Sequence, residues 1–454
     1  MTKDLTTGKP FFVIVSFLIP VFLGLLLQQL YSVVDTIIVG QFLGADALGG
    51  VGACGSINFL IIGSCIGLCN GFCIPISTSF GAKYHALLRK YVTNSVWLCT
   101  ITAVLLLILA APNAGRLLAA MHTTPDNFPH ANAYLSIMFM GAPFTLLYNM
   151  TAGIIRSMGD SKMPLLFLMV AAVLNVLLDL MLIVLIPLGT AGAAWATVIS
   201  QGISGLLCLL YMWKRLPILR LVPNDWRWDG SLVLRLLFNG IPMALQYTVT
   251  AVGSVMLQSA INGLGATYVN AYAAAGRINA LLISPVQAID PTLATYVGQN
   301  TGAKRLDRIR TGMRASVLLG FVLCLVYVSI AWLFTPQLTA LFLGNAEPAL
   351  VLLIRQFLLT AGISTSLLGL LHTYRPSIQS MGYSGLAILS GFMEMIARAL
   401  AALILIPRLG YFGACLGDTF VAWLLSSLYV IPMAYVCLHR LQKRLNRQPS
   451  GSTV

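Results

Sequence analysis

Two carboxylates, Asp35 and Asp179, stand alone deep in long apolar runs of a chain that is 58% hydrophobic and 9% charged. An ionised side chain inside a bilayer costs at least about 2.5–3.5 kcal/mol, so an acid held there points first to function. Asn175 precedes Asp179 by one helical turn and shares its face. At about 1.5 Å per helical residue, Asp35 lies roughly 8 Å from the outer end of its run, and Asp179 and Thr197 lie roughly 12 Å from theirs. Three helices therefore bring polar groups to a similar depth. Two carboxyls, an amide and a hydroxyl in a low dielectric suit reversible proton uptake, because desolvation and mutual repulsion favour the neutral acids. The same oxygens suit a small hard cation, for which Na⁺ is the natural choice. The competing reading for each acid, and for Thr197 above all, is a hydrogen bond that merely fixes helix packing.

The elements that carry these groups must be membrane spans. A mean hydropathy of +0.88 over 454 residues excludes an ordinary soluble protein. A crossing helix needs about 20 apolar residues. Twelve runs qualify: 12–40, 50–78, 91–112, 131–154, 164–187, 190–213, 233–262, 268–299, 313–335, 349–373, 384–407 and 411–438. The run after Pro10 is too long for the apolar part of a signal peptide and reads as the first span. An all-α integral membrane protein is expected.

The net charge of +14 is distributed by topology. Lys and Arg gather in alternate loops, at Lys83–Lys90, Arg156–Lys162, Lys214–Arg235, Lys304–Arg314, Arg375 and the tail from Arg440 to Arg447. Together with Lys3 and Lys9 these are 22 of the 27 basic residues on one side of a twelve-span arrangement. That bias places both termini in the cytoplasm and argues against a nucleic-acid partner. Cys65, Cys69 and Cys73 recur every four residues as a stripe on one helix, which reads as packing rather than a metal site. No disulfide framework is suggested.

The chain is duplicated. Leu43-Gly44-Ala45 returns as Leu264-Gly265-Ala266, and Gly81-Ala82-Lys83 as Gly302-Ala303-Lys304. Ser157-Met158-Gly159 returns as Ser380-Met381-Gly382, Gly189 and Gly192 as Gly410 and Gly413, and Ile19-Pro20 as Ile241-Pro242. All fall at offsets of 221 to 223. Each half carries six spans; six is even, so the halves are parallel repeats. The expected organisation is an N-lobe over 1–213, a cytoplasmic linker over 214–232, a C-lobe over 233–438 and a basic tail over 439–454. The offset maps Asp35 near Met256 or Leu257 and Asp179 onto Ala402. It maps Asn175 onto Arg398 and Thr197 onto Asp418. The second half has therefore lost the acid pair and gained an opposite-charge pair. Arg398 is expected to face Asp418 in a structural bridge, with Glu394 competing for Arg398. Asp290 is the other deep acid, and Pro291 after it suggests a cap on a broken helix.

Pro20, Pro75, Pro143, Pro242, Pro285 and Pro291 interrupt spans and are candidate bends or hinges. Gln28, Tyr31, Tyr148, Gln246, Tyr247 and Gln287 are amphipathic candidates for a substrate cavity, each equally open to a role between helices. No phosphate-binding GxxxxGK[ST] loop, zinc spacing or nucleophile elbow occurs, so neither an ATP-driven engine nor an enzyme is expected.

The stretches Pro20…Gln28-Gln29-Leu30-Tyr31…Val34-Asp35…Val39-Gly40, Arg156-Ser157-Met158-Gly159-Asp160, Asn175-Val176-Leu177-Leu178-Asp179 and Gly189-Thr190-Ala191-Gly192-Ala193-Ala194-Trp195-Ala196-Thr197 resemble the multidrug and toxic compound extrusion (MATE) family over essentially the whole chain. The resemblance implies a V-shaped pair of six-helix lobes that export organic, often cationic compounds in exchange for H⁺ or Na⁺. It implies coupling residues at Asp35, Asn175, Asp179 and Thr197, small drug-like substrates, lipid contact, a monomer, no cofactor beyond the coupling ion, and residence in the plasma (inner) membrane. The NorM-type branch uses an acid in its seventh helix; here 233–262 has none, so the chain looks closer to the DinF-like branch. The alternative is a lipid-linked oligosaccharide flippase of the same superfamily. Such proteins carry several cavity cations, whereas only Arg277 and Arg398 are deep here.

Overall fold

The computed structural model describes residues 4–121, 123–344 and 347–447. Every regular element among them is helical, as hydrocarbon demands of a spanning backbone that must satisfy its own N–H and C=O groups. In chain order the spans are α1 (Pro10–Leu43), α2 (Ala45–Gly81), α3 (His85–Ala120), α4 (Phe128–Met140 and Ala142–Ser157), α5 (Lys162–Leu185) and α6 (Thr190–Arg215). The second series is α7 (Gly230–Asn262), α8 (Ala266–Gln287 and Ile289–Gly302), α9 (Leu306–Leu343), α10 (Pro348–Ser380), α11 (Ser384–Leu409) and α12 (Tyr411–Asn446).

Ten of these are long and apolar enough to cross a membrane as single pieces, and α4, bent by 49° between its two parts, makes an eleventh. The twelfth expected span is α8, which breaks at Ala288 between Pro285 and Pro291. Proline removes a backbone donor and crowds the preceding turn, which accounts for the break.

The duplication extends to the backbone. At the end of α2, the N–H groups of Ala82, Lys83 and Tyr84 reach the carbonyls of Thr78, Phe80 and Ser79; at the end of α8, those of Ala303, Lys304 and Arg305 reach Gln299, Thr301 and Asn300. In both turns a lysine takes the left-handed conformation, at φ 60° and 57°. The residues that enter α2 and α8, Gly44 and Gly265, both need positive φ. Glycine supplies it without a Cβ penalty. The last turn of α5 (Leu180–Leu185) and the matching turn of α11 (Ala401–Leu405) are both π-helical.

The chain folds as two compact units, one holding Leu23–Ala244 and the other Leu5–Phe22 with Leu245 onward. The divisions fall inside α1 and α7, just past Pro20 and Pro242, rather than in the linker. The linker is fastened to α3: Arg89 Nε meets Asp225 Oδ2 at 2.9 Å, and Asn94 Oδ1 accepts from the Asp229 N–H at 3.1 Å. Asp229 caps α7 by accepting from the Ser231 and Leu232 N–H groups. The Ser231 hydroxyl and these amides hold its carboxyl below the usual range. One core of the first unit packs Phe72, Ile76, Met150, Ile154 and Leu236 around Cys65, Cys69 and Cys99. A second packs Val39, Leu118, Leu135 and Phe139.

Candidate functional site

Asp179 is the last α-helical residue of α5 before its π-helical turn, and it is fully buried. Extra residues in a helical turn re-aim side chains and are common at functional sites. Asn175, one turn earlier, is buried beside it. Asp35 of α1 and Asp179 of α5 lie within electrostatic range of each other. Asp35 Oδ1, both oxygens of Asp179 and both polar atoms of Asn175 are buried with no hydrogen-bond partner among the described residues. Thr197 is buried on α6, which packs along α5. Tyr134 of α4 and Tyr31 of α1 lie within electrostatic range of Asp35. Buried polar atoms are nearly always partnered, and each unpartnered one costs about 1–3 kcal/mol. Five at one place form a site arranged to receive something with charge or protons.

The substrate-cavity candidates separate into different settings. Tyr31 lies within hydrogen-bonding reach of exposed Gln28 and of Gln201, and Gln201 Oε1 accepts from the Thr145 hydroxyl at 2.6 Å. Tyr148 packs against the core of the first unit. Tyr247 and Gln287 are partly buried. Gln246 is buried and engaged: Gln379 Nε2 donates to its Oε1 at 3.1 Å, and with the amide turned over its oxygen accepts from Arg375 instead.

The second unit contains a chain of charge. Asp290 Oδ2 lies 3.1 Å from His372 Nδ1 and 3.4 Å from Arg375 Nη2. Arg375 Nη1 meets Glu394 Oε1 at 3.1 Å, and Arg398 Nη1 meets Glu394 Oε2 at 3.4 Å. Arg398 Nε meets Asp418 Oδ1 at 3.1 Å, and Asp418 Oδ2 accepts from the Tyr272 hydroxyl at 2.7 Å. Glu394 thus bridges two guanidiniums instead of competing for one. Asp290 does more than cap: its helix breaks before it and its carboxylate is paired. Arg375, counted with the loop cations from sequence, is instead buried inside α10, which runs on to Ser380. The readable signal was the spacing of His372 with Arg375 and of Glu394 with Arg398, one turn each, inside apolar runs. Among the described residues, no three His, Cys, Asp or Glu side chains are arranged to hold a metal ion.

The fold and these paired six-span halves define a multi-pass membrane protein of the transporter type. A family model described as MatE matches residues 20–181 and again residues 242–404. The chain belongs to the MATE family of transporters. It is 31% identical over 345 residues to the probable multidrug resistance protein YpnP of Bacillus subtilis (strain 168), covering 76% of this chain and 77% of that one. It is 24% identical over 445 residues to the multidrug export protein MepA of Staphylococcus saprophyticus, covering 94% and 93%. Its fold matches a structure described as the outward-facing conformation of a multidrug resistance MATE family transporter, with TM-score 0.90 at 22% identity over 97% of this chain and 99% of that one.

Proposed function

We propose that the protein exports organic amphiphiles, many of them cationic, across the plasma membrane in exchange for H⁺ or Na⁺ by alternating access. The observation that carries this reading is the set of buried oxygens of Asp35 and Asp179 that lack donors. A carboxylate without a donor binds a proton or a cation favourably, because either removes the uncompensated charge. Asn175 and Thr197 contribute neutral oxygens, and Gln28, Tyr31, Tyr148, Gln246, Tyr247 and Gln287 remain the substrate-cavity candidates. The multidrug names of YpnP and MepA support the substrate class. The absence of Asp and Glu from α7 supports the DinF-like branch, and the basic loops support cytoplasmic termini. The alternative of a lipid-linked oligosaccharide flippase is weakened because Arg398 is already neutralised by Glu394 and Asp418.

The test is dye efflux from proteoliposomes driven separately by a proton gradient and a sodium gradient, for wild type and Asp179→Asn. Efflux that needs one gradient and fails in the variant supports antiport at this site. Gradient-independent efflux, or full coupled efflux by the variant, removes the basis of the reading.

A further inference from the structure

In the second unit the carboxylates of half-buried Asp290 and Asp418 and of buried Glu394 are paired with the buried guanidiniums of Arg375 and Arg398. Arg277 of α8 is different. It is exposed, and among the described residues it forms no hydrogen bond or ion pair. It stands eleven residues past Ala266, the first residue of α8. At about 1.5 Å per residue that is roughly 16 Å along the helix, near the middle of a hydrocarbon layer about 30 Å thick.

An unpaired guanidinium at that depth does not face lipid, where its cost would be several kcal/mol. The helix surface around it agrees. Thr267, Asn270, Ala273 and Arg277, spaced three, three and four residues, lie on one face and are all exposed. The opposite face, with Ala271, Ala274, Ala275 and Ile278, is buried. On lipid-facing spans the exposed residues are large and apolar, such as Leu325 and Trp332 of α9 and Leu403 of α11. The exposed stripe of α8 carries hydroxyl, amide and guanidinium groups instead, so it borders water.

We propose that Arg277 is the recognition group for a single carboxylate on the exported compound, so that acidic and zwitterionic amphiphiles are substrates beside cationic ones. This rests on the export reading above. A guanidinium presents a planar fork of donors that fits a carboxylate bidentately, and Asn270, two turns away on the same face, offers an amide to the same ligand. One cation matches one negative charge. The buried arginines of the same unit, Arg375 and Arg398, are held by carboxylates, so among the described residues Arg277 is left as a single free cation, which fits a monoanion rather than a pyrophosphate.

The test uses the free acid and the ethyl ester of one rhodamine dye, which differ in the carboxylate alone, with the full chain in phosphatidylcholine nanodiscs that hold no anionic lipid. Binding is read by fluorescence anisotropy without any ion gradient. Wild type should bind the acid at least severalfold more tightly than the ester. Arg277→Gln should weaken the acid roughly tenfold to a hundredfold and leave the ester within twofold, while Arg277→Lys keeps most of the preference. Equal wild-type affinity for acid and ester overturns the proposal, whether or not the Gln variant folds. Equal loss of both dyes in Arg277→Gln overturns it too, by assigning Arg277 a structural role. Efflux that ignores both ion gradients while the acid preference persists would sink antiport and leave Arg277 in place; ion-driven efflux with no acid preference would do the reverse.

Discussion

Arg398 Nε donates to Asp418 Oδ1 at 3.1 Å, and the two residues occupy the positions that the internal repeat equates with Asn175 and Thr197. The two halves have thus filled one architectural location in opposite ways. In the second half the location holds charges that neutralise each other. In the first it holds an amide, a hydroxyl and an acid whose oxygens have no donor. A duplicated scaffold has one closed copy and one open copy.

Arg398 has the larger structural burden, because it serves Glu394 and Asp418 together. Arg398→Ala leaves buried Glu394 and half-buried Asp418 short of a partner, a change of the kind that costs about 3–5 kcal/mol where the pair is fully buried. The expected outcome is a clearly lowered unfolding temperature in detergent and reduced yield of folded protein. An unfolding temperature equal to wild type would show that Arg375 and Tyr272 suffice to hold those acids.

Asp179→Asn and Asp418→Asn should separate function from stability. Asp179 donates nothing to packing through its oxygens, since both lack partners, so the isosteric amide should unfold at or above the wild-type temperature while coupled efflux is lost. Asp418→Asn removes a charge that holds Arg398 and accepts from Tyr272, so it should lower the unfolding temperature more than it lowers turnover per folded molecule. Thermal unfolding and efflux measured on the same preparations decide the matter. Equal effects of both variants on both readouts would contradict the division between the halves.

The residues that announced themselves in the sequence were those whose chemistry conflicts with their surroundings. Asp35 and Asp179 stand out because acids are rare in apolar runs, and the repeat offset alone brings Arg398 to Asp418. Arg375 falls outside the apolar run, which ends at 373 in the sequence, whereas α10 continues through Pro376 to Ser380. A proline costs a helix most when its missing N–H and its ring crowd an otherwise regular turn, and neighbouring membrane helices can absorb that cost. The π-helical turns after Asp179 and beside Ala401 were not legible, because one extra residue per turn leaves no mark in composition. Nor was the left-handed conformation of Lys83 and Lys304, where glycine would be the expected choice. The duplicated triplets Gly81-Ala82-Lys83 and Gly302-Ala303-Lys304 flagged those turns without revealing which residue bends.

The hairpins that follow the π-helical turns depend on two glycines at matching positions. A Cβ on Gly192 would sit 2.9 Å from the carbonyl oxygen of Leu182, and one on Gly413 would sit 2.3 Å from that of Leu405. Both obstacles are backbone, which cannot rotate away as a side chain can. Gly413→Ala should therefore destabilise by about 1–3 kcal/mol or more, and Gly192→Ala by less. Unfolding temperatures of the two variants test the order; the reverse order would show that the α11–α12 hairpin yields more readily than its counterpart.

Arg308 fastens the segment before α1 to the start of α9 and the end of α8. Its Nη1 donates to the Gly8 carbonyl at 2.7 Å, and its Nη2 donates to those of Leu5 and Thr7, each at 3.1 Å. Nε donates to Asn300 Oδ1 at 3.1 Å, and Asn300 Nδ2 reaches Leu5 O at 3.4 Å. Gln299 Oε1 accepts from the Leu5 N–H at 2.9 Å. The Leu5 side chain is buried, so releasing the segment also exposes apolar surface. Hydrogen bonds from a charged donor contribute about 1.5–3 kcal/mol, and Arg308→Ala removes several at once. Residues 5–8 should then exchange amide hydrogen far faster than in wild type and become open to protease, while amides in the interior of α10 keep their protection. Unchanged exchange at Leu5 would mean that Gln299 and Asn300 hold the segment without the guanidinium.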